Sequence, residues 1–135
     1  MALLTWSGTL SIGIGALDRE HEELLECINE LQDAVAQGKG WSATGPLVHK
    51  LADLTQAHFL SEESMMKASN YPGLMLHSMK HRYLLEQLNA LSARYKREAS
   101  TFNEHSLKFL RDWVVTHIQN EDFSFGLWLN EHGKK

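Results

Sequence analysis

The chain has 135 residues, 43% of them hydrophobic, and a formal net charge of −4 from 13 basic and 17 acidic side chains. That length suits one domain with its own core, and the absence of a basic run or stripe argues against a nucleic-acid partner. Cys27 is the only cysteine, which excludes an intrachain disulfide. No apolar stretch nears the roughly 20 residues of a membrane span, and no basic residue precedes Arg19 as a signal peptide would require, so a cytoplasmic protein without membrane insertion is expected.

Residues 1–16 read as an extended arm with scattered apolar side chains (Leu4, Trp6, Leu10, Ile12, Ile14). A first helix is expected over 17–38, with Asp18 as N-cap and Gly38 and Gly40 at its end. Leu24, Leu25, Ile28, Leu31 and Val35 recur at helical spacing, and His21 falls on the same stripe. A second helix, 45–67, starts near Pro46 and carries Leu47, Leu51, Leu54, His58 and Met65, with Glu62 one turn after His58. A third, 72–97, follows Pro72 and aligns Leu74, His77, His81, Leu84, Leu88, Leu91 and Tyr95. The fourth, 102–120, opens on a capping-box pattern from Thr101 to Glu104 and aligns Leu110, Trp113 and His117. Phe123, Phe125, Leu127, Trp128 and Leu129 mark a short helix over 121–132 that packs back. Short connections between four such helices predict an all-α, antiparallel up-down-up-down four-helix bundle, with an extended N-terminal arm and a short C-terminal helix.

The polar residues on these apolar stripes carry the chemistry. His21, His58, His77, His81 and His117 face the expected core, accompanied by Glu62 and Asp122. His58/Glu62 and His77/His81 are four apart and share a helix face. His117 and Asp122 are five apart, about 140° around an ideal helix, so the fourth helix must end or loosen near Asn120 for Asp122 to turn inward. Burying seven such groups without partners would be strongly unfavourable; a shared metal centre removes that cost. Imidazoles with carboxylates suit iron, manganese or zinc. Seven ligands exceed one zinc and fall short of two closed octahedra, which leaves room for a small exogenous ligand.

Four motifs follow one another along the chain: Asp18-x-x-His21-x-x-Leu24, His58-Phe59-x-x-Glu62-Glu63, His77-x-x-x-His81 and His117-Ile118-x-x-x-Asp122. In this set the chain resembles the bacterial hemerythrins, non-haem di-iron oxygen-binding proteins. The resemblance implies one iron held by His77, His81 and His117 and a second held by His21 and His58. Glu62, Asp122 and an oxo or hydroxo group would bridge them. Dioxygen would bind reversibly at the open position on the His21/His58 iron, each ferrous ion supplying one electron. Leu24, Phe59, Trp113 and Ile118 adjoin ligands and are the candidate oxygen pocket. Asp18, Glu63 and Glu121 are near enough in sequence to hydrogen-bond ligand imidazoles.

The expected role is an oxygen carrier, store or supplier to an oxygen-using enzyme, as a monomer and without catalytic residues. Two alternatives stay open. A di-iron oxidase or peroxidase is disfavoured because no Glu-x-x-His pair of the ferritin-like kind occurs. An oxygen or redox sensor of this length would need a partner protein for its output. His49, His105 and His132 are expected at the surface, Cys27 as a core-edge thiol, and Glu20, Glu22 and Glu23 as solvated helix surface. Met65, Met66, Met75 and Met79 flank the connection between the second and third helices, an end that could serve as an access route or partner surface.

Overall fold

The computed structural model describes residues 11–38, 41–98 and 104–132. Leu4, Trp6, Leu10, Gly40 and Thr101 lie outside the described residues. Five helices follow in order: α1 (Gly15–Ala36), α2 (Trp41–Ala68), α3 (Leu74–Glu98), α4 (Glu104–His117) and α5 (Phe123–Glu131). A π-helical turn, Ile118–Asp122, joins α4 to α5. α1 packs against α2 and α4, and α2 against α3, the expected four-helix bundle. No helix among the described residues is long and apolar enough to cross a membrane.

The helix ends show which local signals operate. Ile14, not Asp18, is the N-cap of α1, and the first helical bond runs from the Asp18 amide to the Ile14 carbonyl. Asp18 instead sits in the first turn and reaches back. It accepts the Ile12 amide at 2.9 Å and the Ser11 hydroxyl at 2.6 Å, tying the end of the arm to the helix. Gly38 follows the C-cap with φ +70°, as a left-handed helix stop requires.

α2 starts before Pro46 rather than at it, and forgoes the one backbone bond that the proline cannot donate. It closes on Asn70 at φ 60°, with the Tyr71 amide bonded to the Met66 carbonyl and the Asn70 amide to that of Lys67. That is a Schellman closure with asparagine in the left-handed position. Pro72 stands in the turn that follows, closed from the Leu74 amide to the Tyr71 carbonyl, so α3 begins at Leu74 rather than 72.

The core runs along α1 (Leu17, Leu24, Leu25, Ile28, Leu31), α2 (Val48, Leu51, Met66), α3 (Leu88) and α4 (Leu107, Leu110, Val114), with Ile118, Phe125 and Leu129 beyond. On α2, Leu51, His58 and Glu62 are buried as expected, but the rest of the buried line is displaced by one position. Val48, Thr55 and Met66 are central, while Leu47, Leu54 and Met65 are half-buried at its edge. Ile12 of the arm is also buried; its carbonyl oxygen would lie only 1.9 Å from a Cβ placed on Gly126. The arm therefore crosses α5 at a point where only glycine fits.

Candidate metal centre

All seven candidate ligands are buried: His21, Glu62 and Asp122 at 0% exposure, and the other four imidazoles at 5% or less. α1 supplies His21, α2 His58 and Glu62, α3 His77 and His81, α4 His117, and the π-turn Asp122. They form two overlapping groups of possible ligand atoms. One contains Glu62, His77, His81, His117 and Asp122; the other contains His21, His58, Glu62 and Asp122. Within each group the atoms lie within 4.8 Å of one another.

The two carboxylates stand between the groups, each with one oxygen toward either side. Glu62 Oε1 is 2.7 Å from His77 Nε2 and 3.1 Å from His81 Nε2, while Oε2 is 3.5 Å from His58 Nε2. Asp122 Oδ1 is 2.9 Å from His77 Nε2 and 3.0 Å from His117 Nε2, while Oδ2 is 2.9 Å from His21 Nε2. Despite these distances, none of the four carboxylate oxygens has a well-directed hydrogen-bond donor.

The outward nitrogens fix what the inward ones can do. His58 Nδ1–H donates to Glu20 Oε1 at 2.6 Å, and Ser61 holds the other Glu20 oxygen at 3.0 Å. His81 Nδ1–H donates to Glu63 Oε2 at 2.7 Å, and Ser78 holds the other Glu63 oxygen at 3.0 Å. In the neutral tautomer, each Nε2 then carries a lone pair aimed inward. His21 Nε2 and His58 Nε2 stand 2.9 Å apart, and His81 Nε2 and His117 Nε2 3.0 Å apart. Converging lone pairs and orphaned carboxylate oxygens in a dry core are what a bound cation resolves, so the donor set fits a metal pair.

Electrostatics in the metal-free protein follow from the same crowding. Burial, with His117 and His77 close by, drives His81 down to about 2. Burial also lowers His21, against the pull of Asp122. For His58, burial is outweighed by the nearby Asp122 carboxylate, the hydrogen bond to Glu20 and the Glu62 charge, and its pKa rises to about 9. Burial and the Asp122 charge push Glu62 well above the usual carboxylate range. Asp122, pulled upward by burial, is held well below it by His117, His21, His58 and His77.

The second-layer expectations meet three different outcomes. Glu63 does hold a candidate ligand. Asp18 is engaged by the arm, and Glu121 stands 3.9 Å from His117 Nδ1 with Lys80 at 3.2 Å. Glu20, expected on solvated surface, is instead the anchor of His58. Its partner is 38 positions away, beyond the reach of local spacing.

Phe59 stacks flat on His81 (3.7 Å between centroids, 4° between planes) and is tilted toward His58 at 5.9 Å, so it touches both groups. Trp113 lies beside Phe59 and His117. Leu24 and Ile118 belong to the main core. His49 and His132 are exposed, away from the site. Cys27 is buried, and burial raises its thiol to about 11, so it is inert at neutral pH.

A helical bundle with a buried pair of imidazole-carboxylate groups sharing two acids defines a metal-binding four-helix protein. Residues 12–129 match the family model described as the Hemerythrin HHE cation binding domain, and the chain belongs to that family. It is 32% identical over 126 residues to the bacteriohemerythrin of Pseudomonas aeruginosa strain UCBPP-PA14, covering 93% of this chain and 80% of the relative. It is 30% identical over 127 residues to the bacteriohemerythrin of Methylococcus capsulatus, covering 93% and 96%. The myohemerythrin of Theromyzon tessulatum is 30% identical over 120 residues, covering 89% and 88%. Among solved structures, a wild-type hemerythrin matches with a TM-score of 0.87 at 29% identity, covering 93% of this chain and 96% of that one.

Proposed function

We propose that the chain binds dioxygen reversibly at a non-haem di-iron centre, as a carrier, store or supplier to an oxygen-using enzyme. The observation that carries this reading is the sharing of Glu62 and Asp122 between a three-imidazole and a two-imidazole group. His77, His81 and His117 would hold one iron and His21 and His58 the other, with the two acids and a solvent-derived oxygen bridging. When bound, a ferrous pair supplies two electrons to dioxygen and takes them back on release.

The chain's own residues do the rest. Glu20 and Glu63 fix the rings of His58 and His81 and their tautomers through Nδ1. The His21/His58 group offers fewer imidazoles, so an exogenous ligand would enter on that side. Leu24, Phe59, Trp113 and Ile118 form the apolar surround that keeps bulk water away. Glu62 and Asp122 are committed to both groups, Glu20 and Glu63 to ligand imidazoles and Glu121 to Lys80, so none of these carboxylates is free to act as a general acid.

The test is anaerobic reconstitution with ferrous iron, a count of iron per chain, and absorption spectra through cycles of oxygen and argon. Two irons per chain and a visible band that rises under oxygen and fades under argon support the reading. A spectrum that turns permanently ferric on the first exposure overturns it in favour of an oxidase, a peroxidase or a redox sensor.

A further inference from the structure

The bundle leaves several large apolar side chains exposed; Leu60 of α2 lies with Met75 and Met79 of α3 between those two helices, while Leu76 and Tyr83 lie on the side of α3 toward the π-turn. Two adjoining clefts share Met79. One, of about 630 Å³ between α2 and α3, also contains Leu60, Met75, Lys67 and Arg82; the other, on α3 toward the π-turn, contains Leu76 and Tyr83 with the paired Lys80 and Glu121. An exposed apolar cluster such as Leu60, Met75 and Met79 marks an interaction site more often than bare surface. Its methionines can repack around an incoming side chain.

The charge pattern says what fits. The chain carries −4 overall, yet the larger cleft is locally basic. Lys67 and Arg82 line it without a carboxylate partner among the described residues. Its one acid, Glu63, is already committed to His81 and Ser78. A second copy docked on this face by two-fold symmetry would bring like charges together.

We infer that the groove docks an amphipathic helix of a different protein, apolar on one side and bordered by carboxylates. Its Met75, Met79 and Leu60 face receives the apolar side, and Lys67 and Arg82 pair with the acidic borders. The docked helix lies against Glu63 and Ser78, so it shares a wall with the candidate metal centre. The docking itself does not depend on which metal the centre holds.

Two synthetic amphipathic helices of about 18 residues, identical on the leucine side and carrying either glutamate or lysine on the polar borders, serve as probes. Their binding to the full chain is read by fluorescence anisotropy. The glutamate probe binds, and the lysine probe binds at least about tenfold more weakly. Met79→Glu, and separately Lys67→Glu with Arg82→Glu, each weaken the glutamate probe at least about tenfold. Leu127→Glu, at an exposed apolar position on α5, leaves it unchanged. Failure of the glutamate probe to bind, equal binding of both probes, or indifference to Met79→Glu overturns the inference. So does self-association of the chain that Met79→Glu abolishes, which reassigns the face to a second copy.

Discussion

Asp122 Oδ1 stands 3.0 Å from His117 Nε2, although five positions separate the two residues along one helical path. The π-turn over Ile118–Asp122 is the reason. Its i to i+5 bonding brings the fifth residue under the first, as i+4 does in an α-helix. The helix does not end near Asn120; it loosens there into the π-turn, the second of the two possibilities that the spacing leaves open. Backbone angles stay helical at His117, Asp122 and Phe123, so the path continues from α4 into α5.

That geometry makes the two possible changes of length unequal. Deleting the exposed Asn120 restores α spacing, leaves Asp122 four residues after His117, and retains two irons per chain. Inserting an alanine after Asn120 carries Asp122 off the shared face and reduces iron below two per chain, as Asp122→Ala does. Iron counts on the anaerobically loaded proteins distinguish the cases. Equal retention in the insertion variant and the parent refutes the role given to the turn.

Glu20 and Glu63 each hold one imidazole from a neighbouring helix. Glu20→Ala or Glu63→Ala leaves the ring free to rotate and its tautomer unset, which lowers metal affinity by about 10–100-fold. Glu20→Gln and Glu63→Gln keep an acceptor oxygen and recover part of that loss. Competition against a chelator measures it. As a control, His49→Ala changes nothing, because His49 is exposed and outside both groups.

Without metal, stability and pH are linked through the same residues. His58 rises from 6.5 to about 9 on folding, so its protonated form is favoured in the native state. The stability it contributes is complete below pH 6.5 and is lost as pH rises through about 9. Glu62, also raised, acts in the same direction; Asp122, depressed, contributes above the ordinary carboxylate range and is lost as pH falls through its lowered value. His21 and His81, both lowered, act the other way but only up to about pH 6.5, above which they are neutral folded or unfolded. The metal-free protein therefore melts at lower temperature at about pH 9 than at about pH 7.5, and His58→Gln flattens that slope. Iron competes with protons, so its affinity moves oppositely and rises with pH, by about tenfold per unit for each proton displaced. A melting profile in which His58→Gln keeps the parent slope contradicts the assignment.

The bundle and six of the seven converging residues were legible because they depend on local periodicity, whereas Asp122 was placed by the resemblance. Each imidazole sits where a helix must face inward, and the i,i+4 pairs need no knowledge of the partner helix. What escaped depends on the third dimension. Glu20 looks like one more acid on a charged helix face until α2 is placed beside it. The arm's crossing at Gly126 is set by a backbone contact with Ile12, and glycine in a helix signals nothing alone. On α2, Val48 and Thr55 are buried where Leu47 and Leu54 are half-buried, and the hydrophobicity of the residues gives no sign of it. The π-turn left a trace, the awkward spacing of His117 and Asp122, but the sequence does not say whether the helix breaks or widens there.

The contact between Gly126 and the Ile12 carbonyl separates the fold from the site. Gly126→Ala places a methyl group where backbone already stands, and backbone cannot rotate away as a side chain would. The arm must lift, which strips Ile12 from the core and strains the Asp18–Ile12 hydrogen bond. A loss of about 1–3 kcal/mol in unfolding free energy follows. The candidate metal ligands lie on α1 to α4 and the π-turn, none of them on the arm, so iron per chain stays at the parent value. Chemical denaturation and iron counting on one preparation read both quantities. Unchanged stability would show that the arm does not rest on α5, whereas lost iron would show that it also holds the centre together.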